Sequence, residues 1–432
     1  MIIEFSVKNF RSIKDIQTIS FVTTGLKSPK EYESVDSNNI IEVSGNSLLK
    51  TVGIYGANAS GKSNIVQALD YFLQAIKNEA SSESDLSALC DPFLYQQDAL
   101  NTESFFQIVL LLDNKKYRYG FTVKRNPKER ESIDKPYSKE VIASEWLFGT
   151  KDKNMVEHFT RTNMNVSDDK LPNKDKIPKL QYTHTLLLTH IAAFDNESPC
   201  AIIRNYIKGR TISNFTKVEL FRQYTFSFLG SRNEIQFQSQ TLLDFLSSFN
   251  LKYSEVFLEK DSGKAKQELS HEDIFLTKSY NNENGEKVDV KLNLKHNESA
   301  GTKRLFDLTG LILRAFSLNR SAFIILDEID SNFHPSLLIK LIELFNNPKI
   351  NTNNSQLLFT SHDTNLMSPS IMRRDQFYFT EKKQDDSSRL YSLSDLKGIR
   401  NDADFAKQYL AGYYGALPIL EDYTNKNITE DE

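Results

Sequence analysis

The segment Gly56-Ala57-Asn58-Ala59-Ser60-Gly61-Lys62-Ser63 decides the fold of this chain. It separates an apolar run at 48–55, typical of a buried strand, from residues 64–77, whose apolar side chains recur at helical spacing. The segment fits the pattern Gly-x-x-x-x-Gly-Lys-Ser without departure. Its glycines allow backbone N–H groups to curl around phosphates, and the start of the following helix adds partial positive charge. We therefore predict a phosphate-binding loop between a strand and a helix.

The polar side chains of this loop have distinct expected roles. We expect Lys62 to reach the β- and γ-phosphates of ATP, and the hydroxyl of Ser63 to ligate Mg²⁺. The candidate nucleotide-binding residues of the loop are Gly56, Asn58, Ala59, Ser60, Gly61, Lys62, Ser63 and Asn64.

A second stretch, Phe323-Ile324-Ile325-Leu326-Asp327-Glu328, supplies the acid that a phosphate-binding loop needs on a neighbouring strand. Its four apolar residues predict a short buried strand, and two carboxylates follow at the end of that strand. We expect Asp327 to hold Mg²⁺ together with Ser63, and Glu328 to polarise the attacking water.

Two further segments bear on the class of the protein. Ser299 and Gly301 stand at the start of a predicted helix, where a hydroxyl and a glycine form a second anion site. His362 follows a predicted strand at 356–360, a position that suits a γ-phosphate sensor. A Ser-x-Gly pair alone is weak and a lone histidine is more often structural, but their order and spacing around Asp327 favour the functional interpretation. The catalytic candidates are thus Lys62, Glu328 and His362.

The composition indicates an ordinary globular protein. The 432 residues suggest about three domain-sized units, and 39% apolar with 25% charged residues is a common balance. We expect no transmembrane span and no signal peptide. With only Cys90 and Cys200, we expect neither a disulfide framework nor a zinc cluster. The sequence therefore predicts a cytoplasmic protein with no membrane partner.

The net charge of −4 does not indicate a dedicated nucleic-acid coat protein, which would usually be strongly basic. The stretch from Lys115 to Lys179 is different, because it has 16 basic and 10 acidic residues. Such a stretch is usually a solvated face, and a contact with nucleic acid or with a partner protein is the alternative.

Taken together, these motifs resemble the ATP-binding-cassette (ABC) ATPase head of the RecF/SMC/OLD group. Within it, the chain resembles AAA-type prokaryotic ATPases, including RloA/AbiLi-like abortive-infection proteins and the ATPase subunits of the PARIS and Septu anti-phage systems. The resemblance covers roughly 1–125 and 290–420, and the middle of the chain matches only weakly. Further segments that carry it are Asn9-Phe10-Arg11-Ser12, Tyr117-Arg118-Tyr119-Gly120-Phe121, Arg373-Arg374-Asp375-Gln376 and the region 402–418.

The resemblance implies the architecture. It predicts an α/β fold, namely a P-loop NTPase with an ABC-type two-lobed head that contains a mixed sheet, an antiparallel β lobe and a mostly helical insertion. The N-terminal lobe would occupy 1–125, the insertion or partner region 126–290, and the C-terminal lobe 291–432. Alternating runs at 105–112 and 117–123 predict a hairpin in the first lobe.

The resemblance also implies roles for particular residues. Ser299 and Gly301 would form the signature motif and contact the ATP held by the other protomer of a homodimer. His362 would be the switch histidine, the 330–331 pair would face the partner, and Arg11 would lie near the nucleotide. The glutamine loop of the family has no secure position, and the candidates for it are Ala193, Gln97 and Gln181. Because metal coordination could differ, turnover of ATP to ADP and phosphate is expected to be slow.

Four functions fit such a head to different degrees. We favour a regulatory ATPase of anti-phage defence that controls a separate effector, a nuclease or toxin. A RecF/SMC-like DNA-repair or DNA-binding ATPase is the alternative, although the middle region lacks heptads. A self-contained nuclease would need a metal-binding Asp-x-Asp; Asp402 and Asp404 match this pattern but are better explained as a polar helix start. A transporter motor is the least favoured.

Overall fold

The computed structural model describes residues 1–78, 86–125, 140–152, 154–167, 170–171, 173–213, 218–229, 236–258, 269–317 and 321–418. The strands are β1 (Ile2–Lys8), β2 (Gln17–Ser20), β3 (Ile40–Val43), β4 (Asn46–Leu49), β5 (Thr51–Gly56), β6 (Ser104–Leu112), β7 (Lys115–Arg125), β8 (Glu140–Lys151), β9 (Asn154–Thr162), β10 (Asn165–Ser167), β11 (Thr211–Ser213), β12 (Glu255–Leu258), β13 (Ile274–Asn281), β14 (Lys287–Asn293), β15 (Phe323–Leu326), β16 (Gln356–Thr360), β17 (Phe377–Lys382) and β18 (Ser388–Ser392). The helices are α1 (Glu33–Asn39), α2 (Lys62–Lys77), α3 (Leu187–Phe194), α4 (Pro199–Arg210), α5 (Val218–Phe226), α6 (Gln236–Ser248), α7 (Leu294–Asn297), α8 (Ala300–Ser317), α9 (Pro335–Asn346) and α10 (Phe405–Leu410).

A six-stranded sheet carries the phosphate-binding loop. Its order is β11-β15-β16-β5-β17-β18, and the first five strands run parallel, whereas β18 pairs antiparallel with β17. The residues of β5, β15 and β16 are buried, as expected for strands covered on both faces. One strand, β16, separates the strand of the loop from the strand of the carboxylates. The carboxyl end of β16 therefore lies between these two groups.

An antiparallel sheet forms the second layer. Its order is β10-β9-β8-β7-β6-β1-β2, and it includes the predicted hairpin as β6 and β7. Helix α2 packs between the two sheets: the Phe72 ring lies 5.7 Å from Phe5 and 5.2 Å from Phe121, while Val52 and Ile54 of β5 belong to the same core. Helices α8 and α9 cover the opposite face of the parallel sheet. The predicted mixed α/β fold with an antiparallel lobe is confirmed.

In its described part, the insertion that we predicted to be mostly helical contains both helices and strands. The described part of 126–290 contains α3 to α6 but also β8 to β13 and the start of β14. Strands β8 to β10 extend the antiparallel sheet, and β12 to β14 form a separate three-stranded sheet. Many side chains of β9 are exposed, so this strand lacks the clear apolar alternation that identifies a strand in a sequence. The three-part division of the chain remains a prediction.

Within the described residues, no helix is both long enough and apolar enough to cross a membrane. Asp404 caps the start of α10 by accepting from the N–H of Lys407, and Asp402 accepts from the guanidinium of Arg400. These contacts agree with a polar helix start rather than a metal-binding Asp-x-Asp.

Candidate nucleotide-binding site

The loop between β5 and α2 has the backbone that a phosphate cradle requires. Gly56 and Gly61 adopt φ values of 151° and 105°, which L side chains rarely adopt. A Cβ on Gly56 would overlap Thr380, and one on Gly61 would overlap Ser388. Only glycine therefore fits at these two positions, as the sequence pattern predicts.

Lys62 lies across this loop. Its Nζ donates to the carbonyl oxygens of Gly56 and Ala57 at 2.9 Å each, and the residue is 6% exposed. Burial lowers the pKa of Lys62, while the nearby carboxylates of Asp327, Asp330 and Glu328 oppose this effect. The ammonium group is thus held over the loop and faces the carboxylates across it.

The C-terminal hairpin β17–β18 supports the loop from outside. The hydroxyls of Ser60 and Thr380 are 2.6 Å apart, and the Ser388 hydroxyl donates to the Ser60 carbonyl at 2.8 Å. The N–H of Ala57 donates to the Ala416 carbonyl at 3.0 Å. The C-terminal region therefore supports this loop although it lies outside the nucleotide-binding motifs.

Arg11 lies beside α2, close to the start of that helix. Its guanidinium donates to Asp91 at 3.0 Å and to the side chain of Gln67, one of the residues of α2. The adjacent Ser12 accepts from Asn64 at 2.7 Å. Arg11 therefore borders the predicted nucleotide-binding residues, but its own hydrogen bonds go to the flanking segments.

The carboxylates follow β15 as predicted, and Thr360 links them. The Thr360 hydroxyl donates to Asp327 Oδ1 at 2.5 Å and accepts from the Glu328 N–H at 2.8 Å. Glu328 has φ 49°, the left-handed conformation that costs a non-glycine residue about 1–3 kcal/mol. The side chain of Glu328 is exposed at the open edge of the sheet. Thr360 had no motif to identify it, and its position at the end of a strand was the available signal.

His362 lies next to this group. Its backbone N–H donates to Asp330 Oδ2 at 3.1 Å. Burial and then Lys62 lower the pKa of His362, while Asp330, Glu328 and Asp327 oppose the shift. The structure therefore brings Lys62, Asp327, Glu328 and His362 to one edge of the parallel sheet.

Ser299 and Gly301 contact a different segment. The exposed Ser299 caps α8, because its hydroxyl accepts from the Thr302 N–H at 3.2 Å. A Cβ on Gly301 would lie 2.6 Å from the carbonyl oxygen of Asn332, so the start of α8 packs on the loop after Glu328. The three candidates for the glutamine loop, Ala193, Gln97 and Gln181, are exposed, and its position stays a prediction.

The oxygen groups present fit Mg²⁺. Mg²⁺ is usually bound through one or two carboxylates, substrate phosphates and waters rather than by an all-protein cage. In the described part of the chain, no group of three or more His, Cys, Asp or Glu residues could hold a metal. Asp327 and Ser63 would instead supply one carboxylate and one hydroxyl, with the remaining positions left to phosphate and water.

The sheet order, the phosphate cradle and the paired carboxylates define the protein as a P-loop NTPase. The chain belongs to the family described as "AAA domain, putative AbiEii toxin, Type IV TA system", whose model matches residues 52–158 and 217–368, more than half of the chain. No curated protein sequence matches it.

Several solved structures are similar to the chain. The SMC head domain from Thermotoga maritima is 15% identical with a TM-score of 0.43, over 90% of this chain and 98% of that one. The recombination mediator protein RecF-ATPrS of the RecFOR pathway is 14% identical with a TM-score of 0.32, over the same shares of the two chains. Because both TM-scores are low, the assignment rests on the family match.

Proposed function

We propose that the protein is an Mg²⁺-dependent ATPase that slowly converts ATP to ADP and phosphate. The observation that carries this proposal is the convergence of Lys62, Asp327, Glu328 and His362 at the open edge of the sheet. These four side chains reach that edge from three separate segments, and a chance arrangement would not supply a cation, two carboxylates and an imidazole around one glycine cradle.

The residues divide the chemistry among them. The loop N–H groups and Lys62 bind the phosphates, and Lys62 leaves its carbonyl partners for the γ-phosphate when ATP enters. Ser63 and Asp327 would hold Mg²⁺, which would supply positive charge against the phosphates. Glu328 orients the attacking water and accepts its proton, and His362 contacts the γ-phosphate. Thr360 fixes Asp327 and the backbone of Glu328 relative to each other.

Two copies would complete each other's sites. Ser299 is exposed at the start of α8, and within the described part of the chain its hydroxyl bonds to Thr302 of the same helix start, so it is available to a nucleotide held by a second chain. A head-to-head homodimer would enclose two ATP molecules, each between the phosphate loop of one copy and Ser299 and Gly301 of the other. Because the γ-phosphate is the contact that differs before and after hydrolysis, the dimer closes with ATP and opens after turnover.

We infer that this closure controls a separate effector, a nuclease or toxin, in anti-phage defence within the cytoplasm. The support is the resemblance to abortive-infection ATPases together with the toxin–antitoxin wording of the family description. The alternative is a RecF/SMC-like ATPase that binds DNA, for which the stretch from Lys115 to Lys179 would be the contact. Part of that stretch lies outside the described residues.

A pull-down from the native host with the Glu328→Gln protein and ATP distinguishes the defence regulator from the DNA-binding ATPase. Glu328→Gln should hold the ATP-bound dimer, and the control Lys62→Ala should not bind nucleotide. A small nuclease or toxin that co-purifies with Glu328→Gln but not with Lys62→Ala, with little DNA, supports the defence regulator. Bound DNA without a protein partner contradicts it and favours the repair-type ATPase.

A further inference from the structure

The first turn of α8 and the loop after Glu328 are joined at three points. Gly301 packs against the carbonyl of Asn332, the guanidinium of Arg304 donates to the carbonyl of Glu328 at 2.7 Å, and the same guanidinium lies 5.6 Å over the ring of Phe333. Residues three apart on a helix share a face, so Gly301 and Arg304 contact this loop from the same side of α8.

The carbonyl that Arg304 binds belongs to a strained residue. Glu328 has positive φ, and such a conformation persists only where neighbouring groups hold it. Its N–H is held by Thr360, and its carbonyl accepts from Arg304 and from the Ser331 N–H at 3.1 Å. Arg304 is the residue of α8 that contributes a side chain to holding Glu328 in this conformation.

Two carboxylates of this loop also attract the guanidinium of Arg304. Burial lowers the pKa of Arg304, and the carboxylates of Asp330 and Glu328 oppose that effect, so both face the guanidinium. Asp330 in turn accepts from the backbone N–H of His362. One side chain of α8 therefore adjoins the segments that carry the proposed base and the proposed γ-phosphate contact.

We propose that Arg304 is a positioning residue. It couples the start of α8, where Ser299 and Gly301 would contact the other copy's nucleotide, to the position of Glu328 in the same chain. The inference rests on the proposed function. When the nucleotide of the second copy engages Ser299 and Gly301, the start of α8 moves as a rigid unit, and Arg304 carries the carbonyl of Glu328 with it. Each site then hydrolyses ATP efficiently only when the other copy's nucleotide is in place, which makes turnover cooperative in ATP.

The test compares Arg304→Ala with Arg314→Ala. Arg314 is the matched control because it lies on the same helix, ten residues and thus about 15 Å further on, with its guanidinium 5.0 Å over Tyr224. For Arg304→Ala we expect kcat to fall about 10- to 100-fold, as for a misplaced catalytic group, with KM changed less than about threefold. The Hill coefficient for ATP should fall towards 1, whereas Arg314→Ala should behave as wild type.

Arg304→Lys provides the second variant in case alanine impairs folding. Lysine can donate to the Glu328 carbonyl but lacks the planar group that stacks on Phe333, so an intermediate kcat is expected. A purely structural role would instead lower the thermal midpoint and the nucleotide affinity in parallel with kcat, and that result would overturn the inference. So would a kcat and Hill coefficient of Arg304→Ala equal to those of Arg314→Ala.

Hydrogen exchange distinguishes failure of this inference from failure of the proposed function. The amides of Glu328 and Ser331 should exchange faster in Arg304→Ala than in Arg314→Ala, whether or not the protein hydrolyses ATP. If wild type shows no Glu328-dependent ATPase, the proposed function fails, and Arg304 then has at most its local contact. If wild type is active and exchange at these amides is unchanged, only the role of Arg304 is refuted.

Discussion

The two edges of the parallel sheet use polar residues in opposite ways. At the amino edge, Gln356 is fully buried: its side chain accepts from the Ile2 N–H at 2.8 Å and donates to the carbonyls of Ile2 and Leu49. At the carboxyl edge, Lys62 donates to carbonyls of its own loop, and Glu328 is exposed and strained. The difference separates polar groups that hold the fold from those available to a ligand.

The amino edge also contains a buried cation. Lys50 is 1% exposed, and its Nζ donates to the carbonyl of Asn346 at the end of α9 at 3.2 Å. A cation there interacts favourably with the negative end of the helix dipole. Lys50 directly precedes β5 and Lys62 follows the loop after it, yet Lys50 caps a helix and Lys62 faces the carboxylates of the open edge.

The largest expected effect is at the carboxyl edge. Glu328→Gln should lower kcat about 1,000-fold, because the amide cannot accept the proton of the attacking water. ATP should still bind, and an ATP-dependent dimer should accumulate in light scattering. The matched control is Glu343→Gln, an exposed glutamate of α9 at the amino edge. A wild-type rate of phosphate release would contradict the assignment of Glu328 as the base.

Lys62→Ala tests the other half of the same edge. We expect ATP affinity to fall about 100-fold, since hydrogen bonds from a charged group to the phosphates are lost. Lys349→Ala, an exposed lysine at the amino edge, should leave affinity unchanged. Titration with a fluorescent ATP analogue measures both, and equal affinities would remove Lys62 from the phosphate site.

Gln356→Leu tests the amino edge. The change leaves the buried backbone groups of Ile2 and Leu49 without their partner, so unfolding free energy should fall by about 3 kcal/mol. The ATP affinity of the folded protein should not change. Urea unfolding measures the first quantity, with Gln240→Leu on the exposed face of α6 as control. A loss of ATP affinity without a loss of stability would contradict the structural role of Gln356 at the amino edge.

Lys50→Met should give the smallest effect, visible in the pH dependence of stability. Burial lowers the pKa of Lys50 to about 8 in the folded state from its ordinary 10.5. Between these values the unfolded chain binds more protons, so the stability of wild type should rise with pH relative to Lys50→Met, by about 1 kcal/mol per pH unit at most. Parallel stability curves from pH 7.5 to 9.5 would contradict a buried, charged Lys50.

Local patterns predicted the elements that we propose to bind phosphate, whereas the contacts between these elements depend on long-range pairing. The phosphate loop and the acid strand could be read from the sequence because each is a short contiguous segment with fixed chemistry. Thr360 acts on Asp327 only because β16 pairs with β15, and Arg304 acts on Glu328 only because α8 packs against the following loop. The strand β9 was missed because exposed side chains obscure its alternation.

Mixing two inactive variants tests the shared-site dimer most directly. Lys62→Ala removes the phosphate lysine, while Ser299→Asp keeps a good helix cap and places a negative charge against the γ-phosphate of the other copy. If each site combines Lys62 of one copy with Ser299 of the other, half of the dimers in a one-to-one mixture contain one intact site. The mixture should then hydrolyse ATP faster than either variant alone, but below a quarter of the wild-type rate, because the second site of these dimers lacks the nucleotide that activates the first through Arg304. A mixture as inactive as its components would contradict the account.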